Sequence, residues 1–124
     1  MRLLLDTQVM LWWLLDHPRL RPDSRQLIAR NHCLVSVASI WEVATKHRLG
    51  KLPVAPASFR DHCLQSGATL LPVLDSHAIE ASALPPMHDD PFDRLLIAQA
   101  RLQGLMAVSA DRHWPSYDVS LHRA

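Results

Sequence analysis

The chain has 124 residues, 48% of them hydrophobic, which supplies apolar mass for one core and excludes two domains, so we predict a single domain over residues 1–124. Thirteen Lys and Arg against twelve Asp and Glu give a net charge of +1. This balance excludes a global basic field that would hold a polyanion, so any contact with nucleic acid must be local.

In the first half of the chain, short apolar runs alternate with helical patterns. Residues 3–5 form an apolar run that predicts a strand, and the wider apolar spacing over 7–15 predicts a helix. Asp23, which follows Pro22, is placed to cap a helix over 24–30. The same reasoning predicts a strand over 33–37, a helix that Ser39 opens and Gly50 stops, and a helix over 57–65 that Gly67 closes.

The second half continues this alternation. The strand predicted over 69–73 contains Pro72, which places it at a sheet edge or a strand end. The strongest helical pattern covers 91–103, because Pro91 suits a first helical position and Gly104 suits a terminator. The remaining predicted elements are a helix over 76–84, a buried strand over 105–108 and an edge strand over 119–121. Strands that alternate with helices predict a parallel α/β sandwich with both sheet faces covered, whose sites form beyond the carboxyl ends of the strands.

The cysteines and the N-terminus indicate the compartment. Cys33 and Cys63 stand in apolar contexts without the spacing of a disulfide framework or a zinc site, which favours buried thiols in a reducing compartment. The apolar run after Arg2 is interrupted by Asp6, and no small-residue cleavage pattern or bilayer-length apolar stretch follows. We therefore expect a cytoplasmic protein that does not enter a membrane.

Four carboxylates stand at strand-to-helix turns or helix starts: Asp6, Glu42, Asp93 and Asp111. Each has an ordinary explanation as a helix cap or as part of one. Ser39 and Glu42 fit a capping box, Asp93 fits the third position of a helix that Asp90 caps, and Asp111 fits the cap of a short helix.

Considered together, the four acids predict a metal site at one edge of the sheet. Clustered carboxylates disfavour one another's ionisation, so at neutral pH they take up protons or a divalent cation. Oxygen ligands suit Mg²⁺ or Mn²⁺, and the chemistry that such a site favours is phosphodiester hydrolysis. We predict as catalytic metal ligands, direct or through water, Asp6, Glu42, Asp93 and Asp111, with the hydroxyls of Thr7 and Ser109 nearby.

Basic side chains close to these acids supply local charge. Lys46, Arg48 and Lys51 follow Glu42, and Arg94 adjoins Asp93. Solvated charges at helix ends are the ordinary interpretation, but their position also suits phosphate contacts. The predicted substrate-binding residues are Thr7, Lys46, Arg94 and Ser109.

Histidines and tryptophans attract other interpretations. No pair among the eight histidines has the sequence separation of zinc ligands, and His88 is expected to order the turn before the helix at 91–103, with proton transfer as the alternative. Trp12 and Trp13 are adjacent and face different sides of their helix. One is expected in the core, and the other suits a partner surface. Asp89 is expected to be a solvated acid.

Four stretches, in order along nearly the whole chain, resemble the PIN family and specifically its VapC-type toxins. They are LLLDT at 3–7, SIWEVATK at 39–46 with LGKL at 49–52, HDDPFDRLLIAQA at 88–100, and VSAD at 108–111. The resemblance implies a three-layer α/β/α sandwich with a central mainly parallel sheet, and a Mg²⁺- or Mn²⁺-dependent endonuclease for single-stranded RNA. It also implies a homodimer that a cognate antitoxin inhibits. Gln8 departs from the His or Asn common after the Asp-Thr pair.

Two other functions compete with this hypothesis. One is a catalytically idle PIN-like module that binds RNA or protein, which the presence of all four acids disfavours. The other is a metal-dependent phosphohydrolase that acts on DNA or a small phosphate ester at the same sheet edge.

Overall fold

The computed structural model describes residues 1–124, and it contains five strands, six α-helices and one 3₁₀ turn. In chain order they are β1 (Arg2–Leu5), α1 (Thr7–Leu14), α2 (Pro22–Arg30), β2 (His32–Ser36), α3 (Val37–Arg48), α4 (Pro56–Gln65), β3 (Thr69–Leu71), α5 (Asp75–Ala83), α6 (Pro91–Gln103), β4 (Met106–Ser109), the 3₁₀ turn (Trp114–Ser116) and β5 (Leu121–Arg123). None of the helices is both long enough and apolar enough to cross a membrane.

The five strands form one parallel sheet in the order β3-β2-β1-β4-β5. Strand β1 lies in the centre, with Leu4 opposite Leu34 of β2 and opposite Ala107 of β4. Parallel pairing requires that every strand be followed by a crossover, and helices supply most of these. The predicted α/β class is confirmed, and the sheet is parallel throughout.

The two faces of the sheet carry separate cores. Leu3 and Leu5 point into one core, which α1, α2 and α4 cover, and Leu4 points into the other, which α6 and the 3₁₀ turn cover. All three leucines are 0% exposed. Because successive strand residues alternate between faces, an unbroken apolar run is the pattern expected of a strand that is buried on both sides. The predicted three layers are therefore present.

Helix starts show where the sequence-based capping predictions hold and where they fail. The side chains of Asp6 and Asp90 cap α1 and α6, as predicted, and Gly104 ends α6 with a φ of 63°. Helix α3 begins earlier than expected, because Ser36 caps it through the backbone N–H of Ala38 at 3.0 Å. Ser39 is therefore a buried residue inside the helix, and Glu42 is not part of a capping box.

Other boundaries move by one or two residues. Asp23 lies in the first turn of α2 without capping it, and Asp111 precedes the 3₁₀ turn without capping that element. Strand β3 ends at Leu71, because Pro72 has no N–H to continue the ladder. Cys63 is buried and Cys33 half-buried, and burial raises the pKa of both thiols, so both are held as unreactive thiols.

Candidate active site

Asp6 stands at the carboxyl end of the central strand and serves two structural roles at once. Its Oδ1 accepts a hydrogen bond of 2.7 Å from the backbone N–H of Val9, which caps α1. Its Oδ2 accepts a hydrogen bond from the hydroxyl of Ser109 at the end of β4. Only 4% of Asp6 is exposed, so the two neighbouring strands and one helix fix the position of this carboxylate.

Glu42 reaches the same edge from α3 and is held by two groups. Its Oε1 accepts a 2.6 Å hydrogen bond from the hydroxyl of Thr7, which in turn lies 2.9 Å from the hydroxyl of Ser39. Its Oε2 accepts from the ammonium of Lys46 at 2.7 Å, one helical turn further along. Only 5% of Glu42 is exposed, whereas about half of the Lys46 side chain is exposed. The ion pair therefore has its buried side at Glu42 and its solvent side at Lys46.

Asp93 enters from the first turn of α6, and its neighbours organise this turn. Asp90 caps the helix by accepting from the N–H groups of Phe92 and Asp93, at 2.8 and 3.2 Å. The imidazole of His88 contacts Asp93 Oδ2 through Nε2 at 2.8 Å, and its Nδ1 accepts from the N–H of Asp90 at 3.3 Å. His88 thus orders the turn, as the sequence predicts, and Asp89 is exposed.

Asp111 completes the set from the loop after β4. Its backbone N–H donates to the Ser109 hydroxyl at 3.1 Å, and its Oδ1 accepts from the backbone N–H of His113 at 2.7 Å. Two imidazoles flank this carboxylate. His88 Nε2 lies 3.4 Å from Oδ2, and His113 Nδ1 lies 3.1 Å from Oδ1.

The four acids line a single cleft of about 300 Å³ at the carboxyl edge of the sheet. Its wall is mainly polar, and only two of its ten lining residues are hydrophobic. Lys46 contributes the ammonium in this wall, and Gln8 and Trp12 form its border with α1. The sequence predicts that these acids meet at one edge of the sheet. In the structure, the parallel topology brings them together in this cleft.

The electrostatics of the cleft show crowded negative charge. Burial, assisted by the charges of Glu42 and Asp111, raises the pKa of Asp6 from 3.8 to about 6 despite the hydrogen bonds from Ser109 and Val9. Burial and then the nearby carboxylates, led by Asp90, raise the pKa of Asp93 to about 7. Both carboxylates are therefore poised to exchange a proton for a metal cation near neutral pH.

In Lys46 and Asp111, unlike in Asp6 and Asp93, the pKa shift favours the charged form, because each has a partner of opposite charge. Burial lowers the pKa of Lys46, but the hydrogen bond and charge of Glu42 raise it above its ordinary value overall. Burial raises the pKa of Asp111, but hydrogen bonds from His113 and the charge of His88 bring it below its ordinary value. Asp6 and Asp93 are thus the cleft carboxylates whose pKa values are raised, first by burial and then by neighbouring carboxylates.

Three of the four predicted substrate-binding residues have other contacts in this structure. The guanidinium of Arg94 donates to backbone carbonyls of the segment before α6, including those of Ala81 and Leu84 at 2.8 and 2.9 Å. It stabilises that segment and is not free for phosphate. Thr7 and Ser109 are buried and position Glu42 and Asp6. Lys46 alone of the four has an exposed cationic end in the cleft.

An apolar groove of about 400 Å³ adjoins the cleft, and Gln8 and Trp12 line both. Its other walls include Leu11, Leu52 and Phe59. Trp12 and Trp13 are both half-buried, so the expectation that one tryptophan stays partly exposed holds, whereas the expectation that the other lies fully in the core is wrong. Trp12 stacks on His17 at a centroid distance of 5.9 Å beside this groove, and Trp13 lines a different cavity.

His113 is a residue of the site that the sequence does not predict. Separation along the chain is what identifies histidine pairs as zinc ligands, and His88 and His113 are far apart by that measure. The structure places their rings 4.4 Å apart between centroids, because the loop after β4 passes over the start of α6. The signal available in the sequence was that each histidine lies within five residues of a predicted acidic ligand.

The family of the chain follows from a comparison with known proteins. The PIN domain family matches residues 3–119, and the chain therefore belongs to the PIN-domain family. A search of curated proteins finds no match.

Solved structures of this fold include toxin-antitoxin proteins. VapBC2 from Rickettsia felis, bound to a DNA fragment from their promoter, has a TM-score of 0.73 at 15% identity and covers 99% of this chain and 98% of its own. FitAcB from Neisseria gonorrhoeae has a TM-score of 0.66 at 15% identity, and the match covers 98% of this chain and 96% of the FitAcB chain. VapC20 of Mycobacterium tuberculosis, a Sarcin-Ricin loop cleaving toxin, has a TM-score of 0.64 at 15% identity, and the match covers 98% of this chain and 99% of the VapC20 chain. At this identity, the similarity concerns the fold.

Proposed function

We propose that this protein is a divalent-metal-dependent endoribonuclease that hydrolyses phosphodiester bonds in single-stranded RNA, and that it is the toxin of a toxin-antitoxin pair. The observation that carries this proposal is the convergence of Asp6, Glu42, Asp93 and Asp111 on one open cleft. Membership of the PIN-domain family and the fold shared with a toxin described as Sarcin-Ricin loop cleaving support it.

The residues in the cleft fit a hard divalent cation. The donor set consists of carboxylate oxygens, and burial, together with the neighbouring carboxylates, raises the pKa values of Asp6 and Asp93, so a bound cation would favour their ionised forms. Mg²⁺ and Mn²⁺ prefer such oxygen ligands and retain several waters, which an open cleft accommodates. Asp6 and Asp93 would hold the ion, with Glu42 and Asp111 as direct or water-mediated ligands.

Neighbouring residues of the chain hold the carboxylates of Asp6 and Glu42 in place without any bound substrate. Ser109 holds Asp6 on one side, and the N-terminus of α1 holds it on the other. Thr7 fixes one oxygen of Glu42, which leaves the other to Lys46. A divalent ion held by these carboxylates would supply an activated water and would offset charge on the leaving oxygen.

Lys46 provides the local phosphate contact that the net charge of +1 does not. Its ammonium lies at the open side of the cleft with the side chain partly exposed, where an RNA phosphate could contact it. Arg48 and Lys51 are exposed beyond it along the same segment. These charges suit a single strand that crosses the cleft.

The decisive experiment compares nucleic acids and metals on one preparation. The protein is incubated with single-stranded RNA, the matching DNA and a duplex RNA, with Mg²⁺, Mn²⁺ or excess EDTA, beside the Asp93→Asn variant. We expect cleavage of single-stranded RNA in the presence of Mg²⁺ or Mn²⁺ but not in EDTA, and a rate lowered on the order of 100-fold or more in the variant. Cleavage in excess EDTA would contradict the metal site, selective cleavage of DNA would favour the phosphohydrolase alternative, and binding without cleavage would favour the idle module.

The apolar groove next to the cleft suits an antitoxin segment. It is continuous with the cleft through Gln8 and Trp12, so a chain that fills the groove reaches the acids. We propose that an apolar segment of the cognate antitoxin packs on Trp12 and that an arginine of this segment pairs with the carboxylates in place of metal.

This partner is sought among products of the neighbouring reading frames. Co-purification and RNA cleavage are measured with wild type and with Trp12→Ala, and Trp13→Ala serves as the matched control because Trp13 lies outside the groove. Inhibition should weaken as Mg²⁺ rises and be lost mainly in Trp12→Ala. Equal inhibition of both variants, or none by any neighbour, would contradict this part of the proposal.

A homodimer is part of the same proposal. Val37 and Trp41 form an exposed apolar pair one helical turn apart on α3, and Trp41 is 64% exposed. Such a pair suits burial against a second copy. Light scattering of the purified protein should give twice the chain mass, and Trp41→Lys should give the monomer mass. A monomeric wild type would contradict it.

A further inference from the structure

A second cluster of potential metal ligands adjoins the carboxylate cleft. His88, Asp111 and His113 each offer one ligand atom, and these three atoms lie within 4.8 Å of one another. The acid belongs to the cleft described above, but the two imidazoles do not line it. They approach one another face to face, tilted by 31°.

We propose that His88, Asp111 and His113 form a second cation site, distinct from the carboxylate cleft, that takes a transition-metal ion such as Zn²⁺ in preference to Mg²⁺. Imidazole nitrogen together with one carboxylate is a donor set typical of zinc, whereas Mg²⁺ prefers oxygen ligands alone. The two sites share Asp111, which has one oxygen near each imidazole.

The spacing of these atoms is close to that of zinc ligands. Ligand bonds to Zn²⁺ are about 2.0–2.2 Å long, so tetrahedral ligands lie about 3.3–3.6 Å apart. His88 Nε2 lies 3.4 Å from Asp111 Oδ2, and His113 Nδ1 lies 3.1 Å from Asp111 Oδ1. Because these two distances involve different oxygens of Asp111, side-chain rotation must bring one oxygen and both nitrogens, which already lie within 4.8 Å of one another, onto a single ion.

The surrounding contacts hold the ligands close to these positions. Two hydrogen bonds fix Asp111: its backbone N–H donates to the hydroxyl of Ser109, and its Oδ1 accepts from the backbone N–H of His113. His88 is packed so that 11% of its side chain is exposed. A metal at its Nε2 would place the ring proton on Nδ1, so His88 would exchange two contacts for the metal bond: the 2.8 Å contact with Asp93 Oδ2 and the long 3.3 Å hydrogen bond from the N–H of Asp90.

The alternative explanation of the cluster is purely electrostatic. In that case, protonated His88 and His113 act as counter-charges for Asp93 and Asp111, and the histidines bind no metal. The two explanations differ in whether neutral imidazoles bind a transition metal, which can be measured without any nuclease assay. The inference is therefore independent of the proposed function.

The experiment titrates untagged full-length protein with Co²⁺, whose visible absorption reports nitrogen ligands and coordination number, and then displaces Co²⁺ with Zn²⁺. His88→Ala and His113→Ala should each weaken binding roughly 10–100-fold or more, because each removes a ligand. His47→Ala is the matched control, since His47 is exposed on α3 and bonded to a backbone carbonyl. It should bind as wild type does.

Asp6→Asn separates the two sites, because Asp6 belongs to the cleft alone. This variant should retain the Co²⁺ spectrum while its response to Mg²⁺ is reduced. Loss of the spectrum in Asp6→Asn, with unchanged binding in both histidine variants, would show that the ion occupies the carboxylate cleft and would overturn the proposal. Wild type that gives no Co²⁺ absorption would overturn it in favour of counter-charges. His113→Ala removes a partly exposed side chain and keeps the test valid should His88→Ala fail to fold.

Discussion

Two buried polar clusters in this protein are built on different principles. The carboxylate cleft collects acids at the carboxyl edge of the sheet. The second, which we term the His77 cluster, consists of His77, Gln99 and Gln103 between α5 and α6. His77 is 0% exposed, its Nδ1 accepts from the N–H of Leu74 at 3.0 Å, and its Nε2 lies 3.1 Å from Gln103 Nε2. Gln99 donates to the carbonyl of Pro72 at 3.2 Å.

The difference lies in charge and access. The His77 cluster is made of amides and an imidazole that bond mainly to one another and to backbone, and it joins the segment before α5 to α6. The cleft instead holds more negative charge than its own cations match, beside open solvent. Buried polar groups alone therefore do not indicate a ligand, whereas unmatched charge at an opening does.

The largest effect should come from removing a charge in the cleft. Asp93→Asn should lower the rate of RNA cleavage on the order of 100-fold or more, because it removes charge from the ion's ligands while the hydrogen-bonding shape remains. The thermal stabilisation by Mg²⁺ should fall in parallel. Kinetics and thermal melts with and without Mg²⁺ measure both, and a variant that keeps both would remove Asp93 from the site.

The corresponding change in the His77 cluster should affect stability and nothing else. His77→Ala leaves a cavity and unpaired groups on Leu74 and Gln103, so we expect it to lower the free energy of unfolding by about 2–4 kcal/mol. Urea unfolding measures this, with exposed His47→Ala as a control that should change by less than about 0.5 kcal/mol. The shift in melting temperature on adding Mg²⁺ should survive in His77→Ala. Its loss would mean that the two clusters are coupled.

The pH dependence of stability should separate the clusters further. Because the pKa of Asp6 rises from 3.8 to about 6 on folding, this group favours the folded state below about pH 4 and loses that contribution as pH increases through 6. The loss amounts to about 3 kcal/mol at pH 8. Unfolding in EDTA between pH 5 and 8 should therefore show a steeper decline for wild type than for Asp6→Asn, and saturating Mg²⁺ should flatten the wild-type curve. If the free energy of unfolding depended equally on pH in wild type and Asp6→Asn in EDTA, that result would contradict the raised pKa of Asp6.

The smallest effect is expected at the border of the cleft. Lys46→Met keeps the stem and removes the ammonium, so RNA cleavage should fall by roughly 10-fold and depend less steeply on salt. Arg48→Met, which lies more than one helical turn beyond Glu42 on α3, serves as the matched control and should change less. A rate unchanged in Lys46→Met at low salt would show that Lys46 serves only as the partner of Glu42.

The sequence predicted the sheet and its edge better than the contacts at that edge. Apolar runs and helix-start residues carry the alternation of strands and helices, and the parallel topology that follows brings Asp6 and Asp111 together. Capping chemistry identified Asp90 correctly, because the side chain and its N–H partners are neighbours in sequence. It failed for Ser39, because Ser36, one helical turn earlier, caps α3 in its place.

Contacts between distant segments could not be predicted in this way. Arg94 adjoins an acid in sequence, but its guanidinium turns to the carbonyls of the segment before α6, which only the packing of α5 on α6 brings within reach. The pairing of His88 with His113 likewise depends on how a loop crosses a helix start. Sequence spacing carries no information on such contacts.

The position of β1 in the centre of the sheet also determines when during synthesis the cleft can exist. Asp6 and Glu42 belong to the segment that leaves the ribosome first, whereas Asp93 and Asp111 arrive with α6 and the loop after β4, and Leu5 pairs with Val108 only then. A nascent chain that ends after β3 has two of the four acids and no wall opposite them. The cleft, and the proposed activity with it, can therefore form only after α6 and β4 have been synthesised and packed against β1.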